Sequence, residues 1–272
     1  MRETVVEIGP GSSGARRALA LRSERGPLRR IGGIDLDRGV PLLDEDRSLA
    51  ATAPLPHVAA LRQLLRVDVL NLGAGAWDPA AAPIEADGAL GLLVLDGFFT
   101  RCQSLEGRSS AEPLGPGDLL RPWDCGDEYS TCVRTDASWQ VCEPARVALL
   151  DARAAAAVGR SPMLTSELMS RLVRRNRLLA TLLALTQIRQ LRRRLLLALW
   201  SLADRWGRVT PDGVALTVPL RHETIAQLAG ASRPSVTSSL AELRADGLVR
   251  PAKNHSWVLL GGPPVERGSG LH

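Results

Sequence analysis

Residues 220–247 carry the tightest constraint on folding: Leu220-Arg-His-Glu-Thr-Ile-Ala-Gln-Leu-Ala-Gly-Ala-Ser232, followed by Arg233-Pro-Ser-Val-Thr-Ser-Ser-Leu-Ala-Glu-Leu-Arg-Ala-Asp-Gly247. Two runs with apolar residues at helical spacing are separated by one glycine. The spacing predicts a helix from about Arg221 to Ala229, a turn at Gly230 and a second helix from about Arg233 to Asp246, which together make a helix-turn-helix. Ile225, Leu228, Val236, Leu240 and Leu243 form the inward face, and Ala226 and Ala229 are small enough for the helices to cross closely.

Ser232 suits the N-cap of the second helix, and Pro234 falls in its first turn, where a missing amide hydrogen costs nothing. The outward face is then Arg233, Ser235, Thr237, Ser238 and Ser239. One arginine among short hydroxyls fits a helix lying in a DNA major groove: the guanidinium takes a guanine O6/N7 pair, and the hydroxyls reach phosphates or mixed base edges. The next stretch, Leu248 to Leu260, reads as two short strands around a turn near Lys253-Asn254. A hairpin directly behind such a helix is a wing, with Lys253 and His255 at its tip facing phosphate or the adjacent minor groove. His222, opening the first helix, joins Ser232, Arg233, Ser235, Thr237, Ser238, Lys253 and His255 as a candidate DNA contact.

Upstream, Met163 to Trp206 is helical in pattern and opens after Ser161-Pro162. Leu164, Leu168, Leu172, Leu179, Leu182, Leu183, Ile188, Leu191 and Leu195 recur at intervals of three, four or seven, the character of a coiled-coil seam. Leu168, Leu172, Leu179, Leu182 and Ile188 are the expected dimer contacts. An unbroken helix of this length would outrun a small domain, so a break is expected between Gln187 and Arg194, where four arginines lie within six residues. That run fits either a solvated face or a role in holding DNA or a partner.

Between Val67 and Leu150, short apolar runs alternate with turn clusters such as Asp87-Gly88, Asp96-Gly97 and Gly115-Pro-Gly-Asp118. This texture predicts many short strands in a β-sandwich or jelly-roll barrel. Residues 42–70 read as short helices. Residues 1–35 have no sustained apolar period, and the reading extends this arm to residue 40. The expected layout is a flexible arm over 1–40, a sensor-like barrel with flanking short helices over 41–160, a dimerisation helix over 161–190 and a winged helix over 191–272.

Charge is divided unevenly: the formal balance is −4 for residues 1–162, +7 for 163–206 and +2 for 207–272. An acidic front and a basic rear are expected when one end of a protein meets a polyanion. Of the 34 basic residues only Lys253 is lysine, so the pI reflects coding bias as well as chemistry. Cys102, Cys125, Cys132 and Cys142 contain no C-x-x-C spacing and read as buried free thiols. No apolar run is long enough for a bilayer span and no export signal is evident, so a cytoplasmic protein without membrane contact is expected.

The order of barrel, long helix and winged helix resembles the Crp/Fnr family of bacterial transcription regulators. The likeness covers about Leu70 to Leu260 and is most specific from Glu223 to Val249. It implies an α+β fold: an N-terminal β jelly-roll of cyclic-nucleotide-binding type, a long dimerisation helix and a C-terminal winged helix-turn-helix. It also implies a non-enzymatic homodimer on double-stranded DNA, with RNA polymerase as a candidate partner. In the family, the residues matching Ser232 and Arg233 contact phosphate and guanine. The next position, often a base-reading Glu, is Pro234 here, and a second base-reading Arg position is Ser238, so the target half-site should differ. The barrel resembles the family's through Leu114 to Leu120 and Cys132 to Val141. Its phosphate-binding Gly-Glu pair is replaced by Arg121-Pro122, and the later Arg by about Tyr129. Cyclic AMP binding in the family's manner is therefore not expected, and Arg121 and Tyr129 stand as the effector-site candidates. The dispersed cysteines also do not match the iron–sulfur branch, and no cofactor or metal is expected.

Two other function classes compete with this one. A metal-dependent barrel enzyme needs clustered histidines, yet only His57 lies in the N-terminal half. A winged helix that binds protein, or a barrel sensor of an unknown ligand or redox signal without direct DNA readout, would lack the steep salt dependence of phosphate contacts.

Overall fold

The computed structural model describes residues 35–53, 58–125 and 136–264, without side chains at Asp124 and Cys125. The first strand, β1 (Asp35–Pro41), leads into three short helices, α1 (Leu42–Glu45), α2 (Arg47–Thr52) and α3 (Val58–Leu64). Residues 35–40, read from the sequence as the end of the arm, are therefore part of a sheet. The strands β2 (Arg66–Leu72), β3 (Gly75–Trp77), β4 (Gly91–Leu105), β5 (Arg108–Leu114), β6 (Leu119–Leu120) and β7 (Asp136–Leu150) complete it. Helices α4 (Ala152–Gly159), α5 (Pro162–Leu185) and α6 (Leu191–Trp206) follow, then β8 (Gly207–Thr210), β9 (Gly213–Leu216), α7 (His222–Ala229), α8 (Arg233–Ala245), β10 (Val249–Pro251) and β11 (Trp257–Leu259).

The first sheet is antiparallel in the order β1-β2-β7-β4-β5, with β3 on β7 and β6 on β4. Among the described residues the path is open, so the expected closed barrel is not formed. Nor are all its strands short. β4 and β7 each run 15 residues, and β4 passes straight through Asp96-Gly97, which the sequence presents as a turn. The glycine marks a bulge: the β4–β7 register shifts around Asp96 and Phe98, and Gly97 has φ +89°. A Cβ there would lie 2.4 Å from that of Ala145, so only glycine allows the strands to approach. The irregularity sends Phe98 and Phe99, both fully buried, into different cores. Phe99 packs inside the sheet with Leu92, Val141 and Val147, whereas Phe98 joins the core of the C-terminal helices.

That second core unites α6, α7, α8 and the small sheet β10-β11-β9-β8, also antiparallel. Phe98 meets Trp206 edge to face, with ring centroids 5.5 Å apart, and a Cβ on Gly115 would lie 2.8 Å from the Trp206 indole nitrogen. The Cys102 thiol reaches Gln227 Oε1 of α7 at 3.4 Å. The strand hairpin and the helix-turn-helix are therefore packed directly on one another. Among the described residues, no helix is long and apolar enough to cross a membrane.

Candidate nucleic-acid interface

The helix-turn-helix forms where the periodicity places it. Helix α7 ends at Gly230, whose left-handed conformation (φ 57°, ψ 45°) turns the chain and spares a side chain the strain of that region. Ser232 has extended backbone, and its Oγ accepts the Ser235 amide at 3.3 Å, starting α8 with Pro234 in the first turn. All five inward residues, Ile225, Leu228, Val236, Leu240 and Leu243, are buried, as are Ala226 and Ala229. Arg233, Ser235, Thr237 and Ser238 are exposed along α8, whereas Ser239 is half-buried.

The hydroxyls are already engaged. Thr237 Oγ1 donates to the Arg233 carbonyl at 3.0 Å, Ser238 Oγ donates to the Pro234 carbonyl at 3.3 Å, and Ser232 Oγ lies 2.8 Å from Ser235 Oγ. To donate to a phosphate or a base, these groups must leave helix partners worth about 0.5–1.5 kcal/mol each. Arg233 carries no such constraint. Its guanidinium, at the first turn of α8, is the strongest donor on the outward face.

His222 ties three elements together. Its Nδ1 lies 2.9 Å from Thr237 Oγ1, and because that hydroxyl's hydrogen serves a carbonyl, Nδ1 is the donor. The ring also stacks on Trp257 of β11, with centroids 5.9 Å apart, while Trp257 Nε1 donates to the Leu220 carbonyl. Sequence reading assigned His222 a DNA contact; the structure gives it a bracing position between α7, α8 and the wing. Arg221, His222, Glu223, Arg233 and His255 surround a concavity of 440 Å³, which brings together both helix starts and the wing. The wing turn runs through Lys253–His255, with positive φ at Asn254 and His255, and Lys253 is exposed.

The long helical tract breaks at residues 186–190, overlapping the predicted interval of Gln187 to Arg194 but starting one residue before it. Of the four arginines there, Arg192 pairs with Asp246, and Arg194 donates to the Thr186 and Ile188 carbonyls, closing the exposed end of α5. Arg189 and Arg193 are exposed. The expected dimer residues divide. Leu168 and Leu182 are buried in their own chain, and half-buried Ile188 packs on the core of the C-terminal helices, so those three are committed internally. Leu172 remains exposed and Leu179 half-exposed, joined by Leu183 of the predicted seam and by Met169 and Val173, which lie outside it. Leu183 is the most open of these, at 69%.

Of the two effector candidates only Arg121 lies among the described residues. Arg121 Nη1 donates to the Ala89 and Leu90 carbonyls at 2.7 and 3.1 Å, and its guanidinium sits 5.5 Å from the Trp123 ring centroid. Tyr129 and Cys132 lie outside the described residues. Cys102 and Cys142 are half-buried free thiols, each pushed up in pKa by burial.

Residues 176–260 match the model of the Crp-like helix-turn-helix domain. Over this stretch the chain is similar to a Crp-like helix-turn-helix domain. The regulatory protein CysR of Synechococcus elongatus is 31% identical over 140 residues, which cover 50% of this chain and 58% of CysR; the chain thus aligns with little more than half of that relative's length. Among solved structures, a cyclic nucleotide-binding domain containing protein from Listeria monocytogenes superposes with a TM-score of 0.55 at 15% identity, over 78% of this chain and 96% of that one. A CooA mutant from Carboxydothermus hydrogenoformans gives 0.52 at 20% identity, over 71% and 83%. The chain shares its fold with these two proteins, with the helix-turn-helix region packed on an open sheet.

Proposed function

We propose that this chain is a sequence-specific, DNA-binding regulator of transcription that works as a homodimer on a two-fold symmetric site. The observation that carries this reading is the placement of Arg233: exposed at the first turn of a capped helix, beside a concavity shared with the wing and the start of α7. In the proposed complex, α8 enters the major groove, Arg233 takes a guanine edge, and Lys253 and His255 meet the backbone. Two such helices in one dimer would address successive grooves about 34 Å apart. His222 holds α8 against the wing and touches DNA only secondarily. The role is regulatory and not enzymatic, places the protein with the DNA in the cytoplasm and leaves RNA polymerase as a candidate partner.

Residues 41–160 act in this reading as the sensor, 161–190 as the dimerisation element and 191–272 as the DNA-binding element. Control by cyclic AMP in the family's usual way is disfavoured, because Arg121 stands where the phosphate-binding pair would be and is committed to backbone carbonyls. Substituting Arg233→Ala tests the reading. Discrimination between the selected duplex and random DNA should fall by about 1–3 kcal/mol, with dimer mass unchanged. Equal losses on both duplexes in a fluorescence-anisotropy titration would make Arg233 a phosphate contact and remove it as a base reader.

A further inference from the structure

A cleft of 680 Å³ opens where α2, the Gly115–Asp118 turn, α5 and α6 meet, away from the Arg121 region. Its volume is that of a small-molecule site. Val94, Leu95 and Leu178 contribute apolar wall, and five arginines line it too; Arg171 and Arg174 are paired with Asp46 and Glu167, which leaves Arg47, Arg177 and Arg205 from three different helices. Arg47 and Arg177 are exposed and form no ion pair with any described residue. Arg205 is different. Its Nη2 donates to Asp118 at 2.6 Å, but its Nη1 is buried and has no hydrogen-bond partner among the described residues.

The acidic groups at the cleft do not balance these cations. Asp46 is taken by Arg171 through two hydrogen bonds, and Glu45 by Arg146 at 2.6 Å. Asp204 is the remaining lining carboxylate, exposed at the rim. Two unpaired arginines beside the Arg205 guanidinium in a concave, partly apolar space fit an acceptor with more than one negative charge.

We propose that this cleft binds a small organic polyanion bearing at least two carboxylate or phosphate groups. The anionic groups bridge Arg47 and Arg177 and approach the Arg205 guanidinium from the cleft, so the ligand spans the sheet turn, α2, α5 and α6.

Calorimetric titration of the full chain with citrate and, separately, with pyrophosphate at constant ionic strength tests the site. DNA is omitted, so the outcome is independent of the DNA-binding reading. Saturable binding of at least one probe, one per chain, is expected, and the probe that binds identifies carboxylate or phosphate as the preferred group. The double variant Arg47→Gln/Arg177→Gln should bind at least about tenfold more weakly. Both residues are exposed and unpaired, and a thermal melt checks that the variant folds; Arg205→Lys, which retains a charge for Asp118 and loses the guanidinium fork, should weaken binding similarly. No saturable heat from either probe up to about 10 mM, or unchanged affinity in the folded variants, would overturn the proposal.

Discussion

Replacing Arg171 by methionine is expected to lower stability by about 3–5 kcal/mol at neutral pH, read by urea unfolding. Arg171 is only 5% exposed, yet it sits on a helix otherwise rich in solvated arginines. Its guanidinium forks onto both Asp46 oxygens, at 2.6 and 2.9 Å, and its Nε donates to Glu167 at 3.0 Å. Asp46 is doubly used, because its Oδ1 also accepts the Leu49 amide and caps α2. Methionine would fill most of the space but leave two carboxylates facing one another with little solvent. The double variant Arg171→Met/Asp46→Asn should recover part of the loss, since asparagine can keep the cap while removing one charge. A single variant within about 1 kcal/mol of the parent would show that the pair contributes little net stability.

The same cluster has a pH signature. Burial raises the Asp46 carboxyl, but hydrogen bonds from Arg171 and the Leu49 amide outweigh it, and the net pKa lies below the usual value. Glu167 behaves alike: desolvation raises it, and Arg171 and Arg174 bring it down further. A carboxylate with a depressed folded-state pKa contributes stability that is complete above its unfolded pKa and lost as pH falls through the folded one. Asp118 runs the other way: burial pushes it up despite Arg205, so its contribution declines as pH rises from the unfolded value through the raised one. Unfolding of the parent chain should therefore become easier below the ordinary carboxylate range. Arg171→Met should flatten that acid limb while leaving the Asp118 response in place.

What the sequence reveals here follows the range of the interactions. The helix-turn-helix was legible because its determinants are local: the apolar spacing of Ile225 and Leu228, Gly230 at a left-handed position, and Ser232 three residues before the amide it caps. The turn at Gly115–Asp118 was legible for the same reason. Gly97 was misread because a glycine beside an aspartate signals a turn locally, and only the approach of Ala145, 48 positions away, makes it a bulge within a long strand. The commitment of Leu168 and Leu182 to their own chain depends on neighbours in distant segments, as does the Arg171–Asp46 pair across 125 residues. Helical periodicity identifies an apolar side but not what covers it. The candidate contact set, read from local pattern, could not show that Thr237 and Ser238 are bonded to their own helix or that His222 is held between α8 and Trp257.

The exposed stripe on α5 yields the second large effect. Met169, Leu172, Asn176, Leu179 and Leu183 follow one another at alternating steps of three and four, the a/d order of a coiled-coil seam with Asn176 at an a position. A lone asparagine at such a position costs stability but fixes register and two-strand pairing. Leu172→Arg together with Leu183→Arg would add guanidinium groups to a helix that already carries Arg171, Arg174, Arg175 and Arg177, so two copies would repel along the seam. Both positions are exposed in the single chain, so folding should be little affected. Loss of pairing removes the second recognition helix, and affinity for a two-fold site should fall by about 10²–10⁴ while affinity for one half-site stays near that of the parent. Sedimentation velocity reads the mass and anisotropy the affinity. A variant that remains a dimer would place the interface elsewhere, and a variant that becomes a monomer yet binds the full site undiminished would sink the two-helix mode of DNA recognition.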